Sequence, residues 1–299
     1  MKKSLMFLAA AIAAASGTFA RAEGTLAKIK ASGSITLGVR ESSGALAYSL
    51  GDGKYVGFHT EMAYRIVSAL QKRLGLPKLD VKTQVVTSQN RVPLVQNGTV
   101  DLECGSTTNN AARQKDVAFA VTTYVEEVRM AVRADSGIAS IGGLAGKTVV
   151  TTTGTTSVRT LRKRERAGVG AFKEVFGKDH ADSFLLLESG RADAFVMDGQ
   201  ILAGAISRAK RPSDFKIAGE VLSVEPIACM MRKDDPAFKK EVDDAIKALI
   251  ASGELAKLYD KWFLQPIPPA GTKVGLPLSA ATKAAWARPN DKPMEDYAD

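Results

Sequence analysis

Apolar and polar positions alternate with two different periods along this chain, and the switches between them mark its elements. Ile35, Leu37 and Val39 alternate with Thr36 and Gly38, the period-2 signature of a strand, which ends at Arg40 in the polar loop Glu41-Ser42-Ser43-Gly44. Ala63, Ile66, Val67, Leu70 and Leu74 then recur at helical spacing, and Gly75 and Pro77 stop that helix. Val81 to Val86 reads as a second strand. Ser88 or Asn90 is placed to cap a short helix containing Arg91, which Asn97-Gly98 terminates. Val100, Leu102 and Cys104 alternate as a strand that runs into Gly105-Ser106-Thr107-Thr108-Asn109-Asn110, with Arg113 in the first turn of a helix beyond.

Strand signals return at Glu127 to Arg133, and a second strand–helix series follows. Thr148 to Thr152 is a strand, and Gly154-Thr155-Thr156-Ser157 is a turn and helix start. Asp182 or Ser183 is placed to cap a short helix ending at Gly190. Ala194 to Met197 is a buried strand ending at Asp198, and Ile201 to Ala209 is helical. Pro226 to Met231 reads as a strand and Asp243 to Leu258 as a helix, against which Trp262 and Phe263 pack. From Pro266 the sequence is Pro-rich and polar. Repeated strand–helix alternation predicts an α/β protein. The two series predict two lobes: residues 23–126 and 228–299 form lobe one, residues 127–227 form lobe two, inserted into it, and the chain crosses between them twice.

The first 22 residues read as a secretion signal. Lys2 and Lys3 form a basic start, Leu5 to Ala15 is an apolar run, and Ala20-Arg21-Ala22 supplies the small-x-small cleavage pattern. That run is shorter than the about 20 apolar residues a membrane span needs. Cleavage after Ala22 would leave Glu23 as the new N-terminus in the periplasm. Lys2, Lys3 and Arg21 would leave with the signal, against no acid, which takes the net charge from +9 to +6. A mild positive excess suits an anionic small ligand. The basic residues are interspersed with acids and aromatics make up 6% of the chain, so the basic stripe with stacking rings that binds nucleic acid is missing. The densest basic run, Arg159 to Arg166, reads as the solvated face of a helix. Cys104 and Cys229 are either a disulfide, as an oxidising compartment favours, or two buried thiols. With two His and two Cys widely spread there is no metal-ligand spacing. No Walker-type Gly-rich loop or G-x-S-x-G elbow is present, so no cofactor is expected.

The candidate chemistry recurs at strand ends. Arg40, Ser88 with Arg91, Ser106 to Arg113, and Thr155 with Thr156 each follow a strand and precede a helix. Ligands of open α/β sheets sit there, and helix N-termini favour anions. Three guanidiniums can hold two carboxylates in fork geometry, and Asp198, at a fifth strand end, can take an ammonium. That inventory fits a zwitterion with an extra carboxylate.

The segments GVRESS (38–43), TSQNRVPLVQNGTVDLECGSTTNN (87–110), GTTS (154–157), KDH (178–180), DSFLLLESGRADAFVMD (182–198), CMMRKDDPAFKK (229–240) and KWFLQPIPP (261–269) resemble the glutamate/aspartate-binding proteins of ABC importers. These belong to the wider family of polar amino-acid solute-binding proteins. The match spans nearly the whole chain after the signal, and TSQNR with ECGSTTNN is its most specific part. One departure is Gly57-Phe58-His59-Thr60-Glu61, where the wider family carries Asp at the last position.

The resemblance implies a two-lobe periplasmic binding protein fold of the type II kind, each lobe a mixed sheet flanked by helices with two hinge crossings. It implies hinge closure on L-glutamate or L-aspartate, and delivery to ABC permease subunits by a monomer. In such proteins Arg113 and Thr108 would hold the α-carboxylate, and Ser106 and Asp198 the ammonium. Arg40, Ser88, Arg91 and His180 would hold the side-chain carboxylate, with Thr156 beside them. His59 has no comparable support. Two other readings are an enzyme on the same fold, for which Glu41 and Glu188 are the nearest acid–base candidates, and a sensory binding module.

Overall fold

The computed structural model describes residues 24–297. The signal segment 1–22 and the cleavage after Ala22 lie outside the described residues. Two lobes each surround a five-stranded sheet. In the first lobe the strand order is Asp80–Val85, Ser34–Val39, Leu102–Glu103, Met230–Arg232, Val117–Phe119. Ser34–Val39 runs parallel to both of its neighbours, whereas Met230–Arg232 is antiparallel to both of its own. In the second lobe the order is Lys173–Gly177, Thr148–Thr152, Ala194–Asp198, Tyr124–Arg133, Phe215–Ile227. Its first three strands are parallel to one another and the last two antiparallel. The chain leaves the first lobe through Tyr124–Arg133 and returns through Phe215–Ile227. These strands pair with each other, Tyr124 opposite Ile227 and Glu126 opposite Glu225.

Burial follows the periods read in the sequence. Ile35, Leu37 and Val39 are buried in the first sheet, and the helix Phe58–Arg73 lays Met62, Ala63, Ile66, Val67 and Leu70 against it. On the same core, Tyr259 and Phe263 stack with ring centroids 4.3 Å apart, and Phe58 and Trp286 pack around them. In the second lobe both sheet faces are covered. Val128, Met130, Val149 and Val196 face one layer, and Ala131, Val150, Phe195 and Met197 the other, as parallel sheets require. Among the described residues no helix is long and apolar enough to cross a membrane.

Several local expectations need correction. The helix containing Arg91 spans Arg91–Gln96 and has no side-chain cap. Thr87 and Asn90 instead bond reciprocally, Asn90 Oδ1 accepting from the Thr87 N–H at 2.7 Å, which spends the amide on the turn. The helix ending before Gly190 starts at His180 and is capped by Asp179, which accepts from the N–H groups of Ala181 and Asp182. Arg113 lies in a single 3-10 turn, Arg113–Lys115. Lys173–Gly177 carried no strand signal because it is an edge, with Phe176 44% exposed. The stretch read as one strand, Pro226 to Met231, holds the end of Phe215–Ile227 in the second sheet and the start of Met230–Arg232 in the first, and the rest of Phe215–Ile227 went unread because a register shift between Ala218 and Ser223 breaks its alternation. The loop after Arg40 contains a small three-stranded meander, Ser42–Ser43, Ala47–Gly51 and Lys54–Val56. The polar tail contains the helix Ala280–Ala287, capped by Ser279. Glu61, at the departure from the family pattern, accepts from Lys261 and from the indole of Trp262 at 2.9 Å, so it braces a helix rather than the cleft.

Candidate ligand-binding cleft

The parallel strands of both lobes end at the interlobe boundary, and the next residue or loop carries the polar groups. Arg40 follows Ser34–Val39, Ser88 follows Asp80–Val85, and Ser106 and Thr108 follow Leu102–Glu103. On the other side Thr156 follows Thr148–Thr152, His180 opens the helix after Lys173–Gly177, and Asp198 ends its own strand. Ser88, Arg91, Ser106, Thr108, Thr155, Thr156, His180, Met197 and Asp198 line one narrow, tightly closed cavity. Arg40 abuts it through Ser88 and His180. The half-buried Arg113 reaches across the boundary, donating to the Thr108 carbonyl at 2.8 Å and the Gly154 carbonyl at 3.3 Å. All nine residues expected in the site are thus gathered at one place. Glu41 is exposed, and Glu188 accepts from the Lys210 N–H; neither lines this cavity.

Two glycine contacts bring the lobes this close. Gly154 has φ +80°, and a Cβ there would lie 2.7 Å from the Gln89 Cα and 2.8 Å from the Ser88 carbonyl. At the other side Gly44, with φ +60°, sits against the Gln200 backbone, and a Cβ on Gly204 would lie 3.2 Å from the Gly44 Cα. Gln200 adds a polar clasp, its Oε1 accepting from the Ala45 N–H at 3.2 Å.

The cleft is electrostatically divided. Arg40 and Arg91 are each 2% exposed, yet Arg40 Nη1 and Arg91 Nε and Nη1 have no hydrogen-bond partner. Burial lowers the Arg40 guanidinium to about 9, helped by the neighbouring charge of Arg91. Arg113 is also lowered to about 9, by burial first and Arg91 second. Asp198 is 1% exposed and its Oδ1 has no partner. Burial first and Glu225 second push it up to about 8, against the pull of the three arginines. Buried polar atoms are nearly always satisfied, and a site with unmet donors on one wall and an unmet carboxylate oxygen on the other has the chemistry to take groups of both charges.

The tautomer of His180 follows from its neighbours. Arginine only donates, so the contact of 3.2 Å from Arg40 Nη2 makes Nε2 an acceptor and places the proton on Nδ1. Nδ1 donates to Thr152 Oγ1 at 2.9 Å, Thr152 donates to Ser183 Oγ at 2.8 Å, and Ser183 donates to the Asp179 carbonyl at 2.9 Å. Burial and the charges of Arg40 and Arg91 hold His180 well below the usual histidine range, so it stays neutral and orients Arg40. His59 lies outside the cleft. Its Nδ1 donates to the Gly105 carbonyl at 2.6 Å, which fixes the loop leading to Ser106.

Four further residues complete the arrangement. Glu103 lies behind Arg40 and accepts from the Thr107 hydroxyl at 2.6 Å. A Cβ at position 105 would stand 2.2 Å from its Oε1 and 2.8 Å from Arg40 Cγ, so only glycine fits there. Glu126 is buried in the outgoing strand, where burial first and Asp198 second raise its carboxyl well above the usual range. Opposite it Glu225 is fully buried and binds Thr108 and Thr156. Thr152 is the acceptor that sets the His180 tautomer. Cys104 and Cys229 form a disulfide that ties the start of the Ser106–Thr108 loop to the chain just past the returning strand.

The model of bacterial extracellular solute-binding proteins, family 3, matches residues 35–265. The L-glutamate/L-aspartate-binding protein of Pseudomonas aeruginosa is 48% identical over 274 residues, 91% of this chain and 90% of that protein. The glutamate/aspartate import solute-binding protein of Escherichia coli is 45% identical over 287 residues, 96% of this chain and 95% of that one. Among solved structures, the solute receptor for L-cysteine of Neisseria gonorrhoeae superposes with a TM-score of 0.71 at 26% identity, covering 80% of this chain and 93% of that one. An ancestral arginine-binding protein bound to arginine gives 0.68 at 27%, covering 77% and 98%. With its two sheets, its interlobe cavity and these matches, the chain belongs to the bacterial extracellular solute-binding proteins, family 3.

Proposed function

We propose that this protein captures L-glutamate or L-aspartate between its lobes in the periplasm, after removal of its signal segment, and delivers it to the permease of an ABC importer. One observation carries the reading: Arg91, with unpartnered guanidinium N–H groups, and Asp198, with an unpartnered oxygen, line one cavity, and the unpartnered Nη1 of Arg40 lies behind Ser88 and His180 at its edge. Arg113 takes the α-carboxylate, and Asp198 with Ser106 takes the ammonium. Arg40, Arg91 and Ser88 take the second carboxylate, with His180 acting through Arg40, whose orientation it fixes. Thr108 and Thr156 close the ring between the lobes. A ligand that satisfies both walls stabilises the closed arrangement through contacts made only there. An amide in place of the second carboxylate would leave buried cationic donors poorly matched, which disfavours glutamine. The names of the Pseudomonas aeruginosa and Escherichia coli relatives agree with this ligand class, and the charge inventory supports it independently.

Calorimetric titration with glutamate, aspartate, glutamine and arginine tests the reading. Strong heats are expected for the first two alone, with dissociation constants near micromolar, about −8 kcal/mol. Tight binding of arginine with none of glutamate would overturn it.

A further inference from the structure

Glu225 is fully buried, lies on the returning crossing strand, and has no part in the scheme above. Its Oε2 accepts from Thr108 Oγ1 of the first lobe at 2.6 Å and from Thr156 Oγ1 of the second lobe at 2.7 Å. Its Oε1 accepts from Ser223 Oγ at 2.8 Å. An ionised carboxylate has only acceptors to offer, and each hydroxyl has a single proton. Both threonine protons are therefore spent on one oxygen atom, and the threonine oxygens, which line the cavity, present lone pairs to it. Because the two threonines belong to different lobes, the shared oxygen also joins the lobes, and separating them must break one of the two bonds.

We infer that Glu225 is a positioning residue of the cleft: it links the lobes through one carboxylate oxygen and makes the hydroxyls of Thr108 and Thr156 acceptors toward the ligand. Those hydroxyls then suit the ligand's ammonium and not a carboxylate, which departs from the expectation that the Thr108 side chain holds the α-carboxylate with Arg113. The ammonium is received by a ring of acceptors, Asp198 among them, while carboxylates rely on the guanidiniums. The groups facing Glu225 are Thr108, Thr156 and Ser223 by hydrogen bond and, by charge, Arg91, Arg113, Asp198 and Glu126. This part of the inference rests on the cleft being an amino-acid site; the linking of the lobes does not.

The test compares the wild type with Glu225→Leu, titrated with glutamate and with glutarate, the same dicarboxylate without its amino group. Leucine accepts no hydrogen bond, so both threonine protons are freed to turn into the cavity, where they oppose an ammonium and favour a carboxylate. The glutamate-to-glutarate affinity ratio should fall by about tenfold or more. Equal losses for both ligands would mean a purely structural role and would overturn the inference. If Glu225→Leu does not fold, Thr156→Ser and Thr156→Val replace it: serine should keep the wild-type ratio and valine lose it, and identical behaviour would overturn the inference. Small-angle scattering without ligand reads the link separately. The substituted protein should be more open than the wild type, and an unchanged profile would remove the link even if neither ligand bound.

Discussion

At the scale of single residues, the cleft works through groups kept away from water and from full satisfaction. Asp198 shows what that implies for binding. With the cleft closed, burial and Glu225 push its carboxyl up to about 8, so below that pH an unbound Asp198 there holds a proton. An ammonium ligand favours the ionised form, so ligand and proton compete. Affinity for glutamate should rise with pH toward about 8, with a limiting slope of about tenfold per pH unit, and then level off. Titrations in buffers of different ionisation heat should show proton release in that range. The Asp198→Asn variant should bind far more weakly and lose the slope, and a pH-independent wild type would sink this account. Arg40 and Asp198 were readable in the sequence because a charge at the carboxyl end of a strand has few places to go except the cleft, and Arg91 and Arg113 because they open the helical turns that follow such strand ends. Glu225, Glu126 and Glu103 were not, since inside a strand carrying other acids and lysines periodicity does not tell an inward carboxylate from a solvated one. His180 was named as a direct ligand group by resemblance, and its role as an acceptor holding Arg40 emerges only from the three-dimensional chain through Thr152 and Ser183.

At the scale of elements, the helix Gly199–Ser207 presents its glycine to the opposite lobe. A helix interior favours Ala over Gly by about 1 kcal/mol, yet a methyl on Gly204 would meet the Gly44 Cα at 3.2 Å. Gly44 cannot easily withdraw, because it is itself pressed on Gln200. Gly204→Ala should therefore hold or raise the melting temperature of the ligand-free protein while weakening glutamate binding several-fold, about 1 kcal/mol. Undiminished affinity would show that the contact between this helix and the Gly44 turn is not the limit to closure. Element existence was largely legible where burial was one-sided or complete, as in Ser34–Val39, Phe58–Arg73, Thr148–Thr152 and Ala194–Asp198. It failed at the edge strand Lys173–Gly177 and at the interrupted strand Phe215–Ile227, where exposure and a register shift erase the period. Caps were misplaced because Asn90 serves a turn and Asp179, one residue before the helix, outcompetes the polar residues inside it.

At the scale of the whole molecule, the disulfide joins residues 125 positions apart across the two excursions of the chain. Replacing both cysteines with serine should lower unfolding stability by about 2–5 kcal/mol, measured by denaturant titration with and without reductant; an unchanged midpoint would assign the bridge no stabilising role. The split first sheet has a further effect, on timing. Met230–Arg232 sits between Leu102–Glu103 and Val117–Phe119, so a chain emerging amino end first leaves two unpaired β edges waiting for residues made much later, a condition that invites mispairing. The strands from Tyr124 to Ile227 wait for nothing outside their own span. Pulse-labelled hydrogen exchange should find the inserted lobe protected before the discontinuous one, and the reverse order would contradict this; the last part of the chain to arrive is then the part that completes the receptor's first half.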